Sequence, residues 1–244
     1  DNSMQGAAAQ LVQVPVEDAA RKASPATRWL AENPVAVLAF FNPERRSAVN
    51  IVPGLIGVIL TMTMVLFTGV SIVRERERGN MELLIATPVS SAELMTGKVL
   101  PYIVIGLVQT TLVLLLGMWL FQVPMNGKVV HVYVAAVLLI VANLALGLLI
   151  STAARSQFQA MQMTFFVFLP SILLSGFMFP FAGMPVAVQW FAEVLPLTHF
   201  LRLVRGIMLR GASLWELWPE VLALCVFTAI MMGAAILRFR KRLD

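Results

Sequence analysis

The sequence predicts an all-α integral membrane protein with five visible transmembrane helices. Hydrophobic residues make up 59% of the 244 residues and charged residues 13%, about half of the charged share of a soluble domain. Five apolar stretches approach the roughly 20 residues with which a helix crosses the hydrocarbon core of a bilayer. We place them at about residues 51–73, 99–120, 132–154, 158–179 and 218–237, and none of them contains a lysine or an arginine.

The segment before the first stretch follows no sustained hydrophobic period. A short, partly β-branched apolar run at 35–41 lies between two Asn-Pro pairs, a pattern that predicts a strand closing a small domain. The chain begins at Asp1 without a signal-like charged and apolar start. We therefore expect a further segment upstream.

Basic residues set the predicted orientation. Arginines follow the first stretch at 74–78, the third at Arg155 and the fifth within 238–242. If five helices alternate across the membrane, these positions lie on one side, which the positive-inside rule identifies as the cytoplasm. The amino-terminal end of the chain would then lie outside and the carboxyl terminus inside. Because these basic residues lie at the ends of apolar stretches, the net charge of +5 predicts no nucleic-acid partner.

The connection at 180–217 falls outside by this count, although it contains three arginines. Apolar residues dominate 186–209, and Trp190, Trp215 and Trp218 suit the headgroup region of a membrane. We interpret this connection as an interfacial or re-entrant element. Its backbone would have to be shielded by neighbouring protein or water.

The densest charge cluster lies in the loop at 74–98, between the first two stretches. Opposite charges stand three or four residues apart over 74–82, which favours a helix with ion pairs along one side. Pro88 ends that helix, and the SSAE sequence at 90–93 has the spacing of a capping box that begins the next one. A small apolar stripe faces away from the charges and consists of Met81, Leu84 and Ile85.

The run IVPGLIGVIL…SIVRERERGNMELLIATPVSSAELMTGKVLPY resembles the second span, connecting loop and third span of bacterial ABC type-2 exporter permeases of the drug-efflux kind. The segment LPLTHFLRLVRGIMLRG resembles the short helical excursion between the last two spans of that family. The resemblance covers about residues 40–244. It implies a permease subunit of an ATP-driven exporter that moves a hydrophobic or amphipathic, drug-like substrate outward by alternating access.

The same resemblance implies how the chain would be assembled. A first span would be missing, which makes six in all, and residues 1–50 would end an extracytoplasmic domain. The partners would be ABC ATPase subunits, a second permease copy in a homo- or heterodimer, the lipid bilayer of the bacterial inner membrane and, in the drug-efflux branch, a periplasmic adaptor. The loop would seat on the ATPase through Arg74, Glu75, Arg76, Glu77, Arg78, Gly79, Met81, Glu82, Leu84, Ile85, Pro88 and Glu93.

No catalytic or metal-binding motif appears in the chain. Gly97 and Lys98 fail the Walker pattern, because Ala92 stands where the first glycine belongs and Val99 follows the lysine. We therefore expect no cofactor on this chain, with ATP and magnesium bound by the partner ATPase. The one cysteine, Cys225, lies in an apolar stretch, and no cysteine and histidine cluster suggests a metal site.

Two other functions remain open at this stage. An ion-coupled secondary transporter usually needs ionisable groups at mid-membrane, but the stretches offer amides and hydroxyls instead. An intramembrane hydrolase is the weaker alternative, because Leu173 stands where a GxSG signature would need glycine. Polar side chains within the stretches either line a substrate path or hydrogen-bond neighbouring helices; the path candidates are Gln109, Asn143, Gln159 and Gln162.

Overall fold

A computed structural model of the chain describes residues 47–78 and 91–240. Within these ranges the fold is all-helical and contains no strand. The strand predicted at 35–41 and the centre of the charged loop lie outside the described residues. The helices, in chain order, are α1 (Ser47–Glu77), α2 (Ser91–Trp119), α3 (Val129–Ala153), α4 (Gln157–Leu174), a short 3-10 helix (Phe181–Gly183), α5 (Val186–Glu193), α6 (Pro196–Arg210) and α7 (Trp218–Arg240).

Five of these helices are long and apolar enough to cross a membrane, which confirms the predicted number of visible spans. The chain is thus a multi-pass membrane protein. The apolar segments are Val49–Glu77, Leu100–Trp119, Val129–Ala153, Gln157–Leu174 and Trp218–Arg238.

One predicted span boundary differs from the structure. The fourth span ends at Leu174 rather than at 179, because the backbone turns at Gly176, whose φ of 85° is left-handed. The apolar residues that follow the turn misled the prediction. At the two ends of the charged loop, α1 continues to Glu77 and α2 begins at Ser91. Both helices thus extend beyond their apolar residues.

The centre of the bundle is formed by α1 and α3. The apolar segment of α3 is 72% buried and that of α1 is 56% buried, whereas α2, α4 and α7 are 22%, 17% and 11% buried. A Cβ atom at Gly147 would lie 2.8 Å from Thr68 Cβ and 2.9 Å from the Val65 carbonyl oxygen. This glycine therefore lets α3 approach the backbone of α1, as small residues do between membrane helices.

The helices α5 and α6 form a pair at one end of the bundle, which we call the hairpin end; the opposite end, where Glu77 and Arg155 lie, is the loop end. The first half of α6 packs on Gly57, where an added Cβ would lie 2.6 Å from Phe200 Cδ1. Its last turn accepts hydrogen bonds from Asn126, in the connection between α2 and α3. Gly57 lies roughly 10 Å along α1 from Asn50. The first half of α6 therefore packs against α1 within the bundle, and its last turn lies at the connection between α2 and α3.

Candidate functional site

The loop end joins three helices through two adjacent residues of α1, Arg76 and Glu77. Successive residues of an α-helix point about 100° apart, so neighbours in sequence can reach two different partners. Here the partners are the last turn of α3 and the first turn of α4, on either side of the sharp connection at Arg155. We call this arrangement the Arg76–Glu77 clamp.

Arg76 binds the carboxyl end of α3. Its guanidinium donates to the carbonyl oxygen of Ala154 and, at 3.4 Å, to that of Ser151. Ala154 is the C-cap of this helix, and the last carbonyls of a helix have no partner within it. A cation at this position also interacts favourably with the helix dipole.

Glu77 binds the amino end of α4. Its carboxylate accepts from the backbone N–H of Gln157 at 2.9 Å and from the side-chain amide of the same residue at 2.5 Å. The first N–H groups of a helix lack internal acceptors, and a negative charge is favourable there. The two halves of the clamp therefore place opposite charges on the helix ends that suit them.

The first turn of α4 is capped by its own residues as well. Ser156 is the N-cap and its hydroxyl accepts from the N–H of Gln159 at 3.2 Å. In return, the side chain of Gln159 accepts from the N–H of Arg155 at 2.7 Å. This reciprocal pattern closely resembles a capping box. The turn between α3 and α4 is therefore stabilised both by its own side chains and by the clamp residues of α1.

Of the other residues that we predicted for ATPase coupling, only some lie in the part of the chain that the structure describes. Arg74 and Arg78 are exposed at the loop end and Glu75 is half-buried. Glu93 lies in the first turn of α2, which follows the predicted helix start after the proline. Outside the described residues are Gly79, Met81, Glu82, Leu84, Ile85 and Pro88.

The four candidates for a substrate path are not brought together. Gln109 of α2 bonds Thr63 of α1 at 3.0 Å, and Gln159 caps α4. Asn143 is fully buried in α3 and donates to Thr61 of α1 at 3.2 Å. Gln162 is exposed on α4. The contacts of Gln109 and Asn143 with α1 are those of helix packing, and a substrate path through the four residues stays a prediction.

An ionic network at the hairpin end was missed by the sequence reasoning. His199 Nδ1 lies 2.5 Å from Glu220 Oε2, and its Nε2 lies 2.8 Å from the carbonyl oxygen of Glu193. Arg202 donates to both carboxylate oxygens of Glu193, at 2.5 and 2.9 Å, and lies 3.5 Å from Glu220. Its guanidinium also covers the ring of Phe181, 4.6 Å from the centroid. The network joins α5, α6 and α7, and we call it the hairpin-end network.

Burial and hydrogen bonding act in opposite directions on His199. Burial disfavours the charged imidazolium, but the hydrogen bonds to Glu220 and to the Glu193 carbonyl, with the two carboxylate charges, outweigh it and raise the pKa of His199. The spacing of His199 and Arg202 on one face of a helix was the available signal. Their partners on α5 and α7 could not be read from it.

Arg205 joins two span ends on the other side of α6. Its guanidinium donates to the carbonyl oxygens of Gly176 at 3.1 Å and Asn50 at 3.5 Å, while its buried Nε has no partner. Burial lowers the pKa of Arg205. The residue thus ties the end of α4 to the head of α1.

No group of three or more histidine, cysteine, aspartate or glutamate side chains suited to a metal ion occurs in the part of the chain that the structure describes. The site chemistry on the described residues is therefore that of helix ends and ion pairs. Such contacts position helices and can be made or broken when the helices move.

Residues 33–209 match the family model described as ABC-2 type transporter. This match covers well over half of the chain, and the protein belongs to the ABC-2 type transporter family.

Curated relatives agree with this assignment. The chain is 34% identical over 203 residues to the probable multidrug ABC transporter permease YbhR of Escherichia coli (strain K12), a match that covers 83% of this chain and 55% of the relative. It is 33% identical over 206 residues to the probable multidrug ABC transporter permease YbhS of the same organism, covering 84% and 55%. The inner membrane transport permease YhhJ, also from that organism, is 33% identical over 183 residues, covering 75% and 49%. The chain spans about half the length of these relatives.

Proposed function

We propose that this chain is the transmembrane permease part of an ATP-driven exporter and that its charged loop couples it to a separate ATPase subunit. Family membership and the names of the relatives support the transport function. ATP and magnesium would be bound by the ATPase, because permeases of this family work with a separate ATP-binding subunit.

The observation that carries the coupling role is the Arg76–Glu77 clamp. The loop leaves α1 directly after these residues, so a force applied to the loop reaches α1 first. The hydrogen bonds to Ala154 and Gln157 would pass this movement to the junction of α3 and α4. A force that the ATPase applies to the loop would therefore move α1, α3 and α4 together. Such a joint movement suits a change between inward and outward openings.

This geometry divides the coupling residues into two groups. Arg76 and Glu77 have partners within the chain and would transmit movement. The contact with the ATPase would be made by the loop that follows and by charged residues on either side of the clamp, which would set the register. A buried apolar anchor would supply most of the binding energy; it would consist of Met81, Leu84 and Ile85, beside the charges of Arg74, Glu75, Arg78, Glu82 and Glu93.

The hairpin end would face the outside of the cell. The loop end carries Arg74, Arg78 and Arg155, which supports a cytoplasmic position by the positive-inside rule. Trp190 and Trp215 at the hairpin end are exposed at 74% and 87%, as residues of the headgroup region are. The pair α5 and α6 would then be a re-entrant element of the outer leaflet, and the membrane would be the bacterial inner membrane.

The relatives' names favour a drug-like substrate, moved outward by alternating access between two permease copies. The curated relatives YbhR and YbhS are named as multidrug permeases. Assembly as a homodimer or a heterodimer, and docking of a periplasmic adaptor, are further parts of the proposal and follow from the family resemblance.

Co-purification of the full-length protein with its ATPase tests the proposal. We expect Glu82→Lys and Met81→Asp to lose the bound ATPase, since one reverses a loop charge and the other places a charge in the apolar anchor. The matched control is Arg155→Glu, a charge reversal at an exposed residue of the same end. It should retain the ATPase.

A different result would replace the proposal. Loop variants that bind the ATPase and transport as the wild type does would remove the coupling role. A protein that moves solute in liposomes under an ion gradient without ATP would be a secondary transporter.

A further inference from the structure

The hairpin-end network lies at the end of the bundle opposite the Arg76–Glu77 clamp. Its members come from α5 (Glu193), α6 (His199 and Arg202) and α7 (Glu220). The exposed fractions of the His199 and Glu220 side chains are 11% and 19%. Those of Arg202 and Glu193 are 33% and 42%, so the contact between His199 and Glu220 is the shielded part of the network. In such a place each hydrogen-bonding group needs a suitable partner.

Both ring nitrogens of His199 face acceptors. Nε2 lies against a backbone carbonyl oxygen of Glu193, which can only accept, and Nδ1 lies against the carboxylate of Glu220. A neutral imidazole has one N–H and one lone pair, whereas the imidazolium has two N–H groups. The observed geometry therefore satisfies both contacts only when the His199–Glu220 pair holds an additional proton.

The charges of the network balance in this protonated form. Two cationic groups, His199 and Arg202, face two carboxylates, Glu193 and Glu220. Loss of the proton from His199 leaves one negative charge in excess and turns a lone pair toward a carboxylate oxygen 2.5 Å away. The contact between α6 and α7 would then be repulsive.

We propose that the hairpin-end network is a proton-binding site that fastens the α5–α6 pair to the head of α7 while His199 is protonated. The groups that face His199 are Glu193 on α5 and Glu220 on α7, with Arg202 shared between their carboxylates. Deprotonation releases the hairpin from α7, so the hairpin end is held more tightly in acidic than in alkaline surroundings. The raised pKa of His199 agrees with this geometry.

Hydrogen–deuterium exchange of the full-length protein in nanodiscs tests the site without a transport assay. Protection of the amides in 186–210 is measured from pH 6 to pH 9 and corrected for the base-catalysed intrinsic rate. Since one proton is linked to opening, we expect protection to fall by up to about tenfold per pH unit above the pKa of His199. Protection that does not change with pH in the wild type would overturn the proposal.

Two variants distinguish protonation of His199 from a purely structural role of the network. Glu220→Gln places a carboxamide opposite Nδ1, where it can donate to a neutral imidazole, and we expect high protection at every pH. His199→Gln removes the cation, and we expect low protection at every pH. His131→Gln, which changes the histidine of the first turn of α3, should keep the wild-type pH response. A Glu220→Gln protein with the wild-type pH response would assign the proton to another group and refute the site.

Discussion

Glu77 and Gln157 are joined by two hydrogen bonds, one from the backbone N–H and one from the side-chain amide of the glutamine. They lie 80 positions apart in the sequence and connect the last turn of α1 to the first turn of α4. Since the charged loop leaves the bundle at this point, the pair lies where a force on the loop would reach the bundle under the proposed function.

Glu77→Gln should uncouple transport from ATP hydrolysis. The amide lacks the charge that favours the amino end of α4, so movement of α1 would no longer carry α4 with it. We expect the number of substrate molecules moved per ATP to fall severalfold while the ATPase stays bound. The ratio is measured in proteoliposomes, with Glu216→Gln at the hairpin end as the matched control. An unchanged ratio would contradict the role of the clamp.

Gly147→Ala should destabilise the bundle by about 1–3 kcal/mol. The added Cβ would lie 2.9 Å from the Val65 carbonyl oxygen, a backbone atom that cannot move aside without shifting α1. Gly233→Ala on α7 is the control, because no atom lies within 4 Å of its added Cβ, and we expect it to be neutral or slightly stabilising. Thermal unfolding in detergent gives both values, and equal values would show that α1 and α3 pack less closely than described.

Asn143→Leu tests whether the buried amide belongs to a substrate path. In the structure it donates to Thr61, while its Oδ1 has no partner. A double-mutant cycle with Thr61→Val should give a coupling energy of about 0.6 kcal/mol, typical of such bonds between membrane helices. We expect transport to continue at near the wild-type rate. A large loss of transport without loss of stability would instead place Asn143 in the path.

The contribution of His199 to global stability should depend on pH in a defined direction. Burial opposes its charge, but Glu220 and Glu193 raise its pKa above the ordinary value of about 6.5. A raised native pKa gives stability that is complete below the unfolded value and is lost as the pH rises through the native one. The difference in unfolding free energy between wild type and His199→Gln should therefore shrink above pH 6.5. A difference that grows toward alkaline pH would contradict this sign.

The spans could be predicted because length and hydropathy decide whether a helix crosses a bilayer. All five described spans were found in this way. The end of α4 could not be predicted, since Phe177 and Phe179 continue the apolar composition after the chain has turned at Gly176. A turn made by one left-handed glycine leaves hydropathy unchanged.

The sites were less accessible from the sequence than the spans. The charges at 74–78 predicted a cytoplasmic loop, but nothing in their spacing indicates that Arg76 reaches Ala154 or that Glu77 reaches Gln157. Partners so far apart in sequence are chosen by the packing of α1 on α3. For the same reason, the bond of His199 to Glu220 could not be predicted, whereas its bond to the Glu193 carbonyl is local in the sequence.

The most direct test of the central claim measures movement across the clamp. Spin labels at Phe158 on α4 and Leu237 on α7, both exposed at the loop end, report the distance between these helices after Cys225 is replaced by serine. We predict that trapping the ATPase with nucleotide changes this distance in the otherwise wild-type complex. The double variant Arg76→Ala, Glu77→Gln should keep the ATPase but lose the change. The same change in the double variant would contradict transmission through the clamp.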